Sequence, residues 1–170
     1  LKEEIAKKLY DYQFLHVFNL MTAFRSNNVI LDGSDAGTGK TYTSTALCKQ
    51  LNLRPFIICP NGLIPVWQYV CDLFGVKPLG IVNYECIKTG KFYDANGNRV
   101  ACKFIEVIDL HNENNINTPI KTTKTTRKVN PDKKNIDFKW KLPKYSMIIF
   151  DEVHNCKNMK TKNAKLLLST

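Results

Sequence analysis

From Leu1 to Phe24 the apolar residues fall at Ile5, Leu9, Tyr12, Leu15, Phe18, Leu20 and Met21. That is close to a helical period, with Leu20 slightly off the stripe and a break expected near Asp11. Asn27-Asn28 end the helix, and Val29-Ile30-Leu31 is a short apolar run of the buried-strand type. A glycine-rich turn, Gly33 to Gly39, leads into a second helical pattern from Lys40 to Leu51, with Ala46, Leu47 and Leu51 inward. Phe56 to Cys59 reads as a second strand closed by Pro60, and Pro65 opens a helix that runs through Phe74. Leu79 to Val82 and Met147 to Phe150 complete four apolar strands. Strands and helices that alternate, with strands apolar on both faces, predict an α/β domain built on a parallel sheet flanked by helices.

The stretch from Lys88 to Lys144 breaks this rhythm. Asp94-Ala-Asn96-Gly97-Asn98 between two strand-like runs is a hairpin signal. Phe138-Lys139-Trp140-Lys141-Leu142 alternates apolar and basic residues, the pattern of a half-buried strand, with an aromatic platform for bases as the alternative. Asn112 to Asn135 is poor in apolar residues and, with Lys121-Thr-Thr-Lys-Thr-Thr-Arg-Lys128, reads as a surface loop. We therefore expect one domain over residues 1–170, carrying a basic insertion over 88–144.

Composition narrows the classes. With 170 residues, 44% of them hydrophobic and 11% aromatic, the chain can bury a core. Lys and Arg number 25 against 15 Asp and Glu, a formal charge of +10 that suits a polyanionic partner. The 88–144 segment alone holds 13 basic and 6 acidic residues, a net of +7, so little of this charge belongs to the rest of the domain. Apolar runs of about four residues are far short of a membrane span of roughly 20, and no membrane association is expected. Leu1-Lys-Glu-Glu-Ile5 is neither a signal peptide nor an initiator sequence, and reads as part of something longer. The six cysteines form no C-x-x-C pair and suit buried, reduced thiols in an intracellular protein, whether of cytoplasm, nucleus or viral particle. Richness in Lys and Asn is of the kind an A+T-rich genome, such as that of a large DNA virus, encodes.

Chemistry concentrates in two places. Ser34-Asp35-Ala36-Gly37-Thr38-Gly39-Lys40-Thr41 lies between a strand and a helix, as a P-loop does. Backbone N–H groups of Asp35 to Gly39 would surround a triphosphate, and glycines let the chain approach without a Cβ clash. Lys40 would neutralise the β and γ phosphates, and the Thr41 hydroxyl would ligate Mg²⁺. Ser34 stands where the strict pattern has Gly. Asp151-Glu152-Val153-His154 closes the fourth strand, and carboxyl ends of strands are where open α/β sheets bind ligands. Asp151 could hold Mg²⁺ while Glu152 positions the attacking water.

Together these segments resemble the first RecA-like domain of a superfamily-two helicase or translocase of the D-E-x-H type, closest to the Swi/Snf-like branch. Leu9-Tyr-Asp-Tyr12-Gln13 resembles that family's L-x-x-Y-Q element, which implies that Gln13 reads the adenine edge. Cys59-Pro60-Asn61-Gly-Leu63-Ile-Pro-Val-Trp67 is similar to motif Ia, and Asn83-Tyr84-Glu85 to motif Ib. The resemblance implies that Pro60, Asn61, Asn83 and Tyr84 lie along a nucleic-acid backbone; read as residues alone, Trp67 packs the core and Tyr84 is as readily a core residue. Asp151 to Asn158 is similar to motif II, which implies that His154 couples the nucleotide site to a partner domain.

The expected function is an ATP- and Mg²⁺-dependent helicase or translocase on nucleic acid, DNA favoured over RNA. This chain would be its ATP-binding half, nearly inactive alone and completed by a second RecA-like domain of the same parent chain. Two alternatives are a P-loop kinase or metabolic NTPase that does not act on nucleic acid, and a module that binds ATP without hydrolysing it.

Overall fold

Three of the apolar runs do become parallel strands. In the computed structural model, which describes residues 1–110 and 136–170, β1 (Arg54–Cys59) lies between β2 (Gly80–Asn83) and β7 (Ser146–Phe150). The register pairs Ile57 of β1 with Ile81 of β2 and with Ile149 of β7. Successive β1 side chains point to opposite faces, as the strand period requires. Phe56 and Ile58 enter one core with Val82, Ile87 and Leu166, while Ile57 and Cys59 enter another with Trp67, Cys71 and Ile81. Burial on both faces explains why this central strand reads as unbroken apolar sequence.

On the face of Ile57 and Cys59 lie α2 (Asp11–Phe24), α3 (Lys40–Leu51) and α4 (Ile64–Phe74), joined through Val17, Ala46, Leu47, Val70 and Phe74. A single turn, α1 (Glu3–Ala6), precedes them, so the expected break near Asp11 is real. Pro65 sits in the first turn of α4, where a missing N–H costs nothing, and a 3₁₀ turn over Asn61–Leu63 leads into it. The face of Phe56 and Ile58 carries α5 (Tyr84–Ile87) and α6 (Lys162–Leu168), whose N-caps are the Asn83 and Thr161 side chains. Among the described residues no helix is long and apolar enough to cross a membrane.

One predicted strand is absent. Val29-Ile30-Leu31 pairs with no strand among the described residues, and Val29 and Leu31 are 76% and 75% exposed. Ile30 alone turns inward, against the core that α2 and α3 share. The segment keeps the alternation of an extended chain but lacks a hydrogen-bonded neighbour, and apolarity alone does not supply one.

The described parts of the 88–144 segment are built into the domain. β3 (Lys91–Tyr93) and β4 (Arg99–Ala101) form the predicted hairpin, turned at Gly97, whose φ of 78° few other residues tolerate. β5 (Ile105–Asp109) pairs antiparallel with β6 (Ile136–Trp140), which buries Ile136 and Phe138 and exposes Asp137 and Lys139. The alternating basic run is thus a half-buried strand, as its pattern predicts. Phe56 of β1 meets the rings of Phe104 and Trp140 edge-on, at 5.8 and 5.6 Å between centroids. The Lys/Thr-rich run at 121–128 lies outside the described residues.

Candidate nucleotide and nucleic-acid site

At the start of α3 the chain leaves its donors unused. Gly37 and Gly39 both have φ of 84°, and Gly39 is the N-cap, without any side-chain cap. The N–H groups of Gly39, Lys40 and Thr41 donate to no acceptor among the described residues. Three such donors at a positive helix end suit an anion of high charge. Lys40 is held over the turn, with Nζ donating to the carbonyls of Ser34 and Asp35, each at 2.8 Å. Ser34 answers its own departure from Gly: the hydroxyl donates to Asp32 Oδ1 at 2.7 Å and accepts from Thr38 Oγ1 at 3.2 Å. Its φ is not positive, so no glycine is needed there. Asp35, Ala36 and Gly37 form the exposed crest of the turn.

Two residues of α2 brace this turn. Gln13 is buried; its Oε1 accepts the Tyr10 N–H at 3.1 Å and its Nε2 donates to the Thr38 carbonyl at 3.3 Å. The amide lies so close to Gly39 that a Cβ at that position would collide with Nε2. The second brace is invisible in the sequence. His16 Nε2 lies 2.9 Å from Asp32 Oδ2, while Asp32 Oδ1 also accepts the Ser34 N–H at 3.0 Å. Burial raises the Asp32 pKa, but the hydrogen bonds from His16 and Ser34 outweigh it, and the net shift is downward. An Asp two residues before a Ser is an Asx-turn signal that could have pointed to Asp32; nothing in the spacing pairs it with His16.

At the carboxyl end of β7, Asp151 donates its N–H to the Ile58 carbonyl at 2.8 Å, which sets it beside the end of β1. Its Oδ1 accepts the Glu152 N–H at 3.0 Å, and its Oδ2 accepts the indole N–H of Trp67 at 2.8 Å. The Tyr84 hydroxyl donates to the Asp151 carbonyl at 2.8 Å. Trp67 and Tyr84 are core residues, as one reading of each expects, and each also spends its polar atom on Asp151. Burial, and then the nearby Asp151 charge, push the Cys59 thiol up to about 12. Burial likewise raises the Tyr84 hydroxyl, with Cys156 and Asp151 adding to it. Glu152 takes a left-handed conformation, φ 53°, and its Oε2 lies 3.1 Å from His154 Nδ1, both side chains largely exposed.

The predicted nucleic-acid residues meet at the same end of the sheet. Asn83 Nδ2 donates to Asn61 Oδ1 at 2.8 Å and to the Tyr93 hydroxyl at 3.0 Å, while its Oδ1 caps α5. Pro60 begins the 3₁₀ turn that carries Asn61. No hydrogen bond or ion pair among the described residues joins the glycine-rich turn to Asp151 or Glu152.

The oxygen donors fit Mg²⁺ shared with phosphates. Of the threonines in α3, Thr43 and Thr45 donate back to the Lys40 and Thr41 carbonyls, whereas the Thr41 hydroxyl has no partner among the described residues. That hydroxyl and the half-buried Asp151 carboxylate are hard ligands of the kind Mg²⁺ takes when phosphates complete its shell.

Comparison with known proteins gives a family. The model of the family described as "Type III restriction enzyme, res subunit" matches residues 6–169. Over 172 aligned residues the chain is 39% identical to a protein of Acanthamoeba polyphaga mimivirus named "Putative ATP-dependent RNA helicase L364". The match takes in all of this chain but 28% of that relative. No solved structure matches the chain.

Proposed function

The chain belongs to the family described as type III restriction enzyme, res subunit, a superfamily-two helicase family, and on that premise we propose that it is the ATP-binding domain of an ATP-dependent nucleic-acid helicase or translocase. The observation that carries the reading is the uncapped start of α3, with three unused N–H groups and with Lys40 held to the Ser34 and Asp35 carbonyls of the same turn. There the Gly39, Lys40 and Thr41 amides bind phosphate oxygens, and Lys40 exchanges its two carbonyl partners for the β and γ phosphates. Gln13, whose amide braces the turn through Tyr10 and Thr38, exchanges these partners to read the adenine edge. Thr41 and Asp151 are the ligands we assign to Mg²⁺, which when bound would offset phosphate charge. Glu152 orients the attacking water, and His154, paired with it, reports to a second RecA-like domain. The D-E-x-H assignment and the Swi/Snf-like branch belong to this proposal, and so does an intracellular site of action.

Pro60, Asn61 and Asn83 supply the nucleic-acid side, with Tyr84 behind them in the core. Asn61 and Asn83 offer amide groups at the sheet end, whereas the Tyr84 hydroxyl is turned inward and acts through Asp151. The resemblance to Swi/Snf-like motors favours duplex DNA. The mimivirus relative's name supports RNA as a second reading. The test is the ATPase rate of the full-length protein with each polymer added. A rise with DNA supports the first, a rise with RNA the second. No rise with either overturns the motor and leaves a P-loop kinase or metabolic NTPase.

A further inference from the structure

Trp67 occupies a position that packing alone does not explain. It is 2% exposed, set among Ile57, Cys71 and Ile81, surroundings that any large apolar side chain would fill. A buried indole N–H needs an acceptor, and here the acceptor is the carboxylate at the end of a different strand, 84 residues along the chain. Trp offers a single uncharged donor, with no acceptor beside it, on an otherwise apolar ring system. A lone hydrogen bond leaves an aspartate carboxylate free to swing, because its terminal torsion is broad. Asp151 has two, one on each oxygen and from opposite sources, the Glu152 N–H and the Trp67 indole. Together they hold the carboxylate in one orientation and leave lone pairs on both oxygens.

The backbone of the same residue is held separately. The Tyr84 hydroxyl grips the Asp151 carbonyl, and α5, which carries Tyr84, is capped by Asn83, itself bonded to Asn61. Asn61 in turn lies in the 3₁₀ turn that leads into α4, the helix bearing Trp67. The two holds on Asp151 therefore start from one connected strand-end assembly.

We propose that Trp67 is a positioning residue for Asp151, its indole N–H fixing the carboxylate for a divalent cation while the Tyr84 hydroxyl fixes the main chain beneath it. This rests on the reading of Asp151 as a metal-facing carboxylate. Partners that orient a ligand are worth roughly 10–100-fold in metal affinity, and that range sets the expected effect.

The experiment uses the full-length protein with ADP and Mn²⁺, free Mn²⁺ being followed by electron paramagnetic resonance. Trp67→Phe keeps a ring in the core and deletes the donor. It should weaken Mn²⁺ binding roughly 10-fold or more while ADP binding without metal is retained. In the ATPase assay the half-saturating Mg²⁺ should rise, and the rate at saturating Mg²⁺ should largely recover. Val70→Ala, a buried change in the same helix that does not touch Asp151, should lower stability and leave Mn²⁺ affinity at the wild-type value. Tyr84→Phe gives a second variant, with a smaller loss in the same direction. Wild-type protein that binds Mn²⁺ no better than Asp151→Asn refutes the reading of Asp151. Binding that depends on Asp151 but survives Trp67→Phe unchanged refutes the role of Trp67 alone. Equal loss in Val70→Ala reduces the effect to general destabilisation and also overturns it.

Discussion

The glycine-rich turn and the end of β7 carry complementary chemistry, yet they are held together in opposite ways. Bonds around the turn are short in sequence: Lys40 to Ser34 and Asp35, Thr38 to Ser34, and at the longest Gln13 to Thr38 across 25 residues. Asp151 is held from 84 and 67 residues away, by Trp67 and Tyr84. A turn made by its own sequence can change shape around a ligand without disturbing the sheet. A carboxylate fixed by α4, α5 and β1 moves only when they move. The difference suits the proposed nucleotide site, whose binding half would be local and whose hydrolytic half would answer to the rest of the domain.

Glu152→Gln separates the two regions most sharply. Turnover by the full-length protein should fall roughly 10²–10⁴-fold, the range for losing a positioned base, while ATP affinity stays close to wild type. Rate measurements paired with nucleotide binding would show this. If ATP binding collapsed as well, the turn would not be the self-sufficient half.

Gly39→Ala probes the opposite region. The added Cβ meets Gln13 Nε2, and φ of 84° is strained for any residue with a Cβ. A strained site of this kind costs about 1–3 kcal/mol, which should appear mainly as weaker ATP binding, about tenfold or more. Thermal unfolding should shift less, because the turn's bonds are local and can relax. A Tm loss with unaltered ATP binding would reverse the assignment.

Legibility in the sequence follows the same division. The turn was readable because each of its parts, glycines, lysine, threonine and following helix, sits within a few residues of the others. α3 runs over Lys40–Leu51 as its pattern predicts, and the Asn96-Gly97 hairpin forms for local reasons too. The second role of Trp67 was hidden, since an apolar helix position and a strand-end carboxylate 84 residues apart share no spacing rule. The pairing of His16 with Asp32 was hidden for the same reason, being a product of how α2 packs. Val29-Ile30-Leu31 shows the converse error: local apolarity suggested a strand, but strands are defined by partners, and none among the described residues pairs with it. The 88–144 segment, set apart by its charge, proved to contribute Phe104, Ile105 and Phe138 to the largest core, because alternating patterns hide their buried face behind their basic one.

Asn83→Ala tests the long-range assembly at a smaller scale. It removes the cap of α5 together with the bonds to Asn61 and Tyr93. Loss of an N-cap costs about 1 kcal/mol, visible as a lower denaturant midpoint. Because α5 carries Tyr84, the stimulation of ATPase by nucleic acid should fall with it. Stability lost without any change in stimulation would make this assembly a scaffold and nothing more.

The smallest effect lies in the pH dependence of the turn. Asp32 has a pKa below its ordinary value near 3.8, because hydrogen bonds from His16 and Ser34 exceed the upward push of burial. A carboxyl whose folded pKa is depressed stabilises the protein fully above its unfolded value and loses that contribution as pH falls through the folded one. Asp32→Asn cannot ionise, so a gap in Tm between wild type and variant should stand at pH values above about 4. Below that it should close, as protonation takes from the wild type what the substitution has already removed. Closure confined to this acidic window would show that the turn's bracing is electrostatic and local, independent of the bonds that hold Asp151. A gap that stayed constant into strong acid would mean that Asp32 braces the turn by shape alone, and the two regions would then differ in reach but not in kind.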